Sequence, residues 1–519
     1  MNRCWALLLF STVLGVFATG VGAAPVAISP AKMPVVARVD PRFLSYNIEM
    51  AGIVGASFWK PYRDLPRGKA FGGTTFASRL KKGSPLDLHA PTLRHLAAAL
   101  GPAYVRVSGT WANTVYFADT DSPPATAPPG FKSVLTRGEW SGVLAFVKAV
   151  DGRLVTSFAS SAGVRNHEGV WRSSQAAKLL AFTRTEGGRI AAAEFMNEPN
   201  FPAAGGLPAG YSAADFARDF ARFRAFARRG APRMAILGPS ATGDTLAAQG
   251  MPLPSFIPTA ALLAAKPHPR FDVFTYHFYG AVSLRCAPPG TPVSTTAGAA
   301  LSNEWLDRTE VAYHFYERLR DRYEPGTPIW ITETADAACG GNPWAKTFLD
   351  SFRFLNQLGA MSRRGVQVVM HNTLVGSDYG LLDERTLAPR PDYWAALLWK
   401  RLMGRKVLQA GPAGRAHLRI YAHCLHDVSG GAALLLLNTS KSQAQRVTVD
   451  APARRYTLTA QVLQSESVRL NGRVLAPLLE GRVPPLRGRP ESAGVLRLPP
   501  ASITFLAIPK AGNASCERR

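Results

Sequence analysis

The chain has 519 residues, 47% of them hydrophobic and 18% charged, with a formal net charge of +25. That length and mix exclude extended disorder and leave room for a large core and a second domain. A basic excess concentrates anionic partners, whether nucleic acid, acidic membrane or acidic polysaccharide, yet the basic residues cluster only as pairs such as Arg228-Arg229, Arg363-Arg364 and Arg454-Arg455, so charge alone selects none of these.

At the N-terminus, Arg3 precedes an apolar run over 5–21, and Gly22-Ala23-Ala24 then leads into Pro25. This is the layout of a cleaved secretory signal peptide over 1–24. No other apolar stretch is long enough to cross a bilayer. The expected location is therefore secreted or periplasmic, and the Arg and Ala bias reads as bacterial. Beyond the leader remain Cys286, Cys339, Cys424 and Cys516. An even number in an oxidising compartment predicts two disulfides, with three pairings open. None has the close spacing of a zinc site.

From 43 to 403, short β-branched runs alternate with amphipathic stretches. Strands are predicted at 43–48, 103–107, 154–159, 192–196, 234–238, 271–277, 328–332 and 366–371. Most lack polar alternation, which suits strands buried on both faces. Helices are predicted over 90–100, 213–229, 303–323 and 345–364. In the second, Phe216, Phe220, Phe223 and Phe226 recur every three residues or four, a stripe that packs a helix on a barrel. Eight alternations predict an α/β fold, a (β/α)8 TIM barrel with its site at the C-terminal strand ends. After 403 the texture becomes short strands between Gly, Pro and polar turns, at 418–424, 432–438, 445–449, 455–462, 467–470 and 494–508. Segment 404–519, joined by 25–42, is expected to form an all-β sandwich domain.

Two strand ends carry acids. The fourth stops at Asn197-Glu198-Pro199-Asn200, where proline disfavours further ladder pairing. The seventh runs Ile329-Trp330-Ile331-Thr332-Glu333-Thr334. Glycoside cleavage passes through an oxocarbenium-like state flanked by two carboxyl groups, one a proton donor and one a nucleophile or base. Glu198 and Glu333 fit those roles. Asn197 is placed to bond a sugar hydroxyl or the nucleophile, and His277 and Tyr279, at the sixth strand end, to orient Glu333 or line the pocket.

These motifs resemble clan A of the glycoside hydrolases, and more closely the heparanase and β-glucuronidase group, glycoside hydrolase family 79. The resemblance extends through Phe43-Leu44-Ser45-Tyr46-Asn47-Ile48-Glu49, Tyr104-Val105-Arg106-Val107-Ser108-Gly109-Thr110 and Asp378-Tyr379-Gly380-Leu381-Leu382-Asp383. It implies Glu198 as acid/base and Glu333 as nucleophile of a retaining enzyme. It places Glu49 and Thr110 near sugar hydroxyls, and Gly340 and Gly341 amides with the Tyr379 hydroxyl at a glucuronate carboxylate. It also implies a disulfide between Cys424 and Cys516 stapling the sandwich. The segment from Glu333 to Gly340 is one residue longer than the family pattern, and Cys339 stands where an aromatic is usual. Stretches 54–83 and 281–302 read as insertions beside the mouth. A Cys286–Cys339 bond would tie the loops after strands six and seven.

The expected function is retaining hydrolysis of β-linked glucuronic acid in heparan sulfate-like glycosaminoglycans or other glucuronides. Competing readings are an exo-acting β-glucuronidase on small or terminal glucuronides, a clan A hydrolase for a neutral sugar, and a non-catalytic secreted polyanion-binding protein. Neither metal nor organic cofactor is expected, and no nucleic-acid partner.

Overall fold

The eight apolar runs form eight parallel strands of a closed barrel in a computed structural model of the protein, which describes residues 25–517 except 66–74, 76, 252, 288–289 and 412–415. The leader expected over 1–24 lies outside the described residues. The strands are β1 (Leu44–Glu49), β2 (Ala103–Ser108), β3 (Gly152–Ser157), β4 (Ile190–Glu194), β5 (Ala235–Ala241), β6 (Val273–Val282), β7 (Ile329–Ala338) and β8 (Val368–His371). Each pairs in parallel with the next, and β8 closes on β1 through Val369 opposite Leu44. Around them lie α1 (Pro91–Ala99), α2 (Arg137–Ala149), α3 (Ser174–Thr185), α4 (Ala213–Gly230), α5 (Thr259–Ala264), α6 (Asn303–Tyr323), α7 (Phe348–Arg363) and α8 (Pro391–Leu402).

Helix α4 shows why the sequence folds this way. Ser212 and Asp215 form a reciprocal capping box that starts it. Its buried Phe216, Phe220 and Phe223 meet Phe195 beyond β4, and Phe220 packs edge-on against Phe271 at 4.9 Å. Each such ring contributes about 1.5–3 kcal/mol by burial. The stripe is packing, as its spacing predicts.

Two strands differ from expectation. β6 and β7 run to Val282 and Ala338, well past the predicted ends, and stay paired there, with Phe278 opposite Thr334 and Val282 opposite Ala338. Small and apolar residues in both segments allow a buried two-stranded extension above the rim. Glu333 therefore sits within its strand, not at its end. β4 instead stops early, leaving Glu198 four residues beyond it.

After α8 the chain becomes β9 (Met403–Leu408), β10 (Leu418–Leu425), β11 (Ala432–Asn438), β12 (Gln445–Val449), β13 (Ala453–Thr459), β14 (Gly494–Leu498) and β15 (Ser502–Ile508). The predicted strand 494–508 is two, because Pro499 and Pro500 interrupt the ladder before Ala501 turns with φ +43°. The larger sheet runs Val35–Arg38, β9, β10, β11, β15, β13 and then the short strands Arg469–Leu470 and Arg473–Val474, with Arg489–Glu491 also paired to β13. Val26–Ile28, β12 and β14 form the smaller one. β11 is buried on both faces: Leu434 and Leu436 meet the smaller sheet, while Leu435 and Leu437 join the barrel core. α7 is buried almost throughout because it is sandwiched between barrel and sheet. There Tyr421 donates to Asn356 at 2.7 Å, and its ring lies over Gly359, where a Cβ would come within 2.3 Å.

Candidate active site

The strands deliver their polar residues into one cluster. Arg106 on β2 is almost wholly buried and donates to Glu194 Oε2 on β4 and to Glu333 Oε2 on β7, each at 2.8 Å. It also donates to Asn197 Oδ1 at 2.7 Å. Tyr279 on β6 donates to the other oxygen of Glu333 at 2.6 Å. Glu333 is thus gripped from two sides, which aims its carboxylate. Burial disfavours an ionised Glu194, but Arg106 and His277 outweigh it and hold that carboxyl down to about 2.

Glu198 lies opposite. Its backbone is left-handed, φ +48°, a conformation that costs on the order of 1–3 kcal/mol for a residue with a Cβ. About 17% of the side chain is exposed, facing a cavity of about 620 Å³. Burial and the Glu333 charge raise its pKa, while a hydrogen bond with His277 works against them. His277 Nδ1 is 2.9 Å from Glu198 Oε1 and 3.7 Å from Glu333 Oε2, so it attends the first acid more closely than the second. Burial would lower the imidazole; Glu333 and the bonds to Glu194 and Glu198 prevail and raise it to about 9. It is a cation at neutral pH.

Glu198, His277 and Glu333 offer oxygen and nitrogen atoms within 4.8 Å of one another, a spacing that would also suit a metal ion. In this structure those atoms are engaged with protein partners: the Arg106 guanidinium occupies Glu333 Oε2, and His277 Nδ1 faces Glu198 Oε1 at 2.9 Å.

Asn372, one residue past β8, joins the remaining groups. Its amide nitrogen lies 3.1 Å from Glu49 Oε1, 3.0 Å from the Tyr279 hydroxyl and 3.2 Å from the Tyr379 hydroxyl. Glu49 Oε2 is buried without a hydrogen-bond partner. Gly109 makes room for it: φ is +93°, and a Cβ there would lie 1.8 Å from that oxygen.

Glu49, Thr110, Glu198, Tyr279, Glu333 and Tyr379 all line the cavity. Asn197 and His277 stand behind them; Asn197 is committed to Arg106 and, at 3.4 Å, to Thr110. Gly340 and Gly341 are not in the lining. Gly341 N–H is donated to Ala337 O at 3.2 Å, and Gly340 is closed over by Trp59, Ser377 and Arg285. The long β7 presents Ala338 and Cys339 to the cavity instead. Segment 54–83 supplies a hairpin, Ser57–Trp59 against Leu80–Lys82, whose Trp59 and Leu80 form one wall. Segment 281–302 supplies Val282 and Cys286, and Cys286 is bonded to Cys339. The second disulfide joins Cys424 to Cys516.

Sequence reasoning assigned no role to Arg106, Glu194, Asn372 or Trp59. For the first two a signal existed: a charge inside an apolar strand run must be paired or neutralised when buried.

A profile described as Glycosyl hydrolase family 79, N-terminal domain, matches residues 84–359, which include both acids. The chain is 27% identical to heparanase of Mus musculus over 493 residues, 83% of this chain and 88% of that protein. It is 34% identical to baicalin-β-D-glucuronidase of Scutellaria baicalensis over 214 residues, 39% of this chain and 40% of that one. With inactive heparanase-2 of Homo sapiens it shares 30% over 244 residues, 42% of this chain and 41% of that one. The match thus spans less than half the length of the last two. Among solved structures, a 4-O-α-L-rhamnosyl-β-D-glucuronidase from Fusarium oxysporum superposes with a TM-score of 0.60 at 13% identity, covering 93% of this chain and all of that one, a likeness of fold.

Proposed function

The chain belongs to glycosyl hydrolase family 79, and on that premise we propose that it hydrolyses β-D-glucuronides with retention at the anomeric carbon. The observation that carries this is the spacing of the acids. Carboxylate oxygens of Glu198 and Glu333 lie within 4.8 Å, the short separation of a double-displacement site; inversion needs about 6.5–9.5 Å to admit a water.

Glu333 attacks the anomeric carbon while Glu198 protonates the departing oxygen, giving a glycosyl-enzyme and a free alcohol. Glu198, now a carboxylate, keeps the His277 N–H at Oε1 and takes a proton from water. That water displaces Glu333 and restores the starting state. Glu49 Oε2, unpaired at the cavity, is assigned to a sugar hydroxyl. Tyr379 is assigned to the sugar carboxylate. Lys132 is the one cation among the described lining residues.

A second reading, cleavage within a sulfated glucuronate polysaccharide, is favoured by the net charge of +25. The two disulfides suit an extracellular setting for either. A purely binding protein would have no need of Arg106 and Tyr279 fixed on Glu333.

With 4-nitrophenyl β-D-glucuronide, proton NMR is expected to show the β-anomer as the first sugar released. Glu333→Gln should lower kcat by roughly 10³-fold or more with an unchanged melting curve. Release of the α-anomer, or undiminished turnover in that variant, would defeat the mechanism. Turnover of β-xylosides or α-arabinofuranosides in preference to the glucuronide would move the chain to the neutral-sugar reading.

A further inference from the structure

The cavity combines polar groups, Glu333, Glu49 and the Tyr279 and Tyr379 hydroxyls, with apolar walls, one of them Trp59, Leu80 and Trp111. The loops after the strands that follow Glu198, the acid that meets the departing group, supply a second wall that is apolar apart from Thr242: Phe201 after β4, Leu246 and Met251 after β5, Val282 at the end of β6, and the Cys286–Cys339 disulfide.

This wall is built, not incidental. Leu246 and Val282 belong to a small buried cluster with Ala287 and Val293, and Met251, Cys286 and Cys339 pack against it. Phe201 is held by Phe256, ring centroids 5.4 Å apart. Gly243, at φ +89°, lets the Phe201 ring lie against the backbone, where a Cβ would come within 2.8 Å. The disulfide ties the loop after β6 to the loop after β7.

We infer that the leaving-group subsite takes an apolar, aromatic or fused-ring aglycone, so that the enzyme acts on glucuronides of hydrophobic alcohols or phenols in preference to links inside a sulfated chain. The inference rests on the β-glucuronidase reading and names its substrate class. A sulfated sugar beyond the scissile bond would bring its anions against a wall mostly of carbon and sulfur, which replaces little of their hydration and is costly. Arg106 cannot help, since it is buried behind the acids and bonded to Glu194 and Glu333. Lys132 is the one cation among the described lining residues. An aromatic aglycone would instead displace water from a preformed apolar face, the usual character of a small-molecule site. The positive surface charge then serves solubility and attraction of the anionic sugar, without reading the aglycone.

The test compares the intact enzyme on phenyl, 4-propylphenyl and 2-naphthyl β-D-glucuronides, whose phenols are of similar acidity, and on a size-defined heparan sulfate oligosaccharide. We expect kcat/KM to rise at least tenfold from phenyl to 2-naphthyl, mainly through KM, and to be at least tenfold lower on the oligosaccharide. Met251→Lys, at a partly exposed position, should reduce the 2-naphthyl-to-phenyl ratio by several-fold. Rates indifferent to aglycone size, an unchanged ratio in M251K, or preferred cleavage of heparan sulfate would overturn the inference while leaving the glucuronidase reading standing. No turnover of any glucuronide would overturn both.

Discussion

Burial and the charge of Glu333 hold the Glu49 carboxyl up to about 8, against an ordinary value of 4.5. The folded protein therefore keeps a proton there that the unfolded chain releases. Between those two values the folded state binds more protons, so this group's stability contribution is fully present below 4.5 and lost as pH rises through 8. The slope is at most about 1.4 kcal/mol per pH unit. Glu49→Gln, permanently neutral, lacks it. Urea midpoints at pH 5 and pH 8 should show the variant gaining on the parent by roughly 2–4 kcal/mol over that interval; parallel losses would refute a neutral Glu49. The same residue shows what one chain discloses at this scale. Glu49, Thr110 and Tyr379 are picked out by the family resemblance and Tyr279 by its place at the sixth strand, and all four line the cavity. Arg106 and Glu194 show in the sequence only as charges inside apolar strand runs; that they meet each other and Glu333 is a three-way contact among β2, β4 and β7, and pairing across a barrel has no signature in local spacing.

Elements turn those contacts into geometry. The loop after β2 begins at Gly109, whose missing Cβ is the space that Glu49 Oε2 fills. Gly109→Ala would impose two penalties. Its φ of +93° and ψ of +173° lie in a region essentially confined to glycine, so alanine there is strained, and Glu49 must swing away from the cavity. Displacements of about 1 Å at such a site can cost 10² in rate, so kcat/KM is expected to fall about a hundredfold. Gly187, between α3 and β4, is the control: its φ is +69° and nothing lies within 4 Å of its would-be Cβ. Gly187→Ala introduces strain at a positive φ without any clash and should keep activity. Equal loss of activity in both variants would show that strain alone is at work. At this scale the eight strands and the α4 stripe could be read from apolar runs and periodicity. The extra length of β6 and β7 could not, because Gly280-Ala281 and Ala335–Ala338 carry no strand propensity of their own and are held by each other's ladder.

At the scale of the whole molecule, barrel and sandwich share a core. α7 is buried between them, Tyr421 fits over Gly359, and alternate leucines of β11 face the two sides. Such an interface makes one cooperative unit and does not behave as a flexible joint. The Cys424–Cys516 bond bears on that unit. It spans 92 residues and pins the end of the chain to β10. Closing a loop of that length removes about 4.6 kcal/mol of chain entropy from the unfolded state at most. Replacing both cysteines by serine should therefore lower the melting temperature by a few degrees, about 4–5 °C at most for a cooperative unit of this size. Because the core is shared, the barrel should fall with the sandwich: near-ultraviolet circular dichroism and glucuronidase activity should be lost together, in a single transition, in both parent and variant. The alternative is distinct and visible. If the variant loses the sandwich signal first while activity persists to the parent's temperature, the two layers fold independently, and the packing of α7 does not couple them.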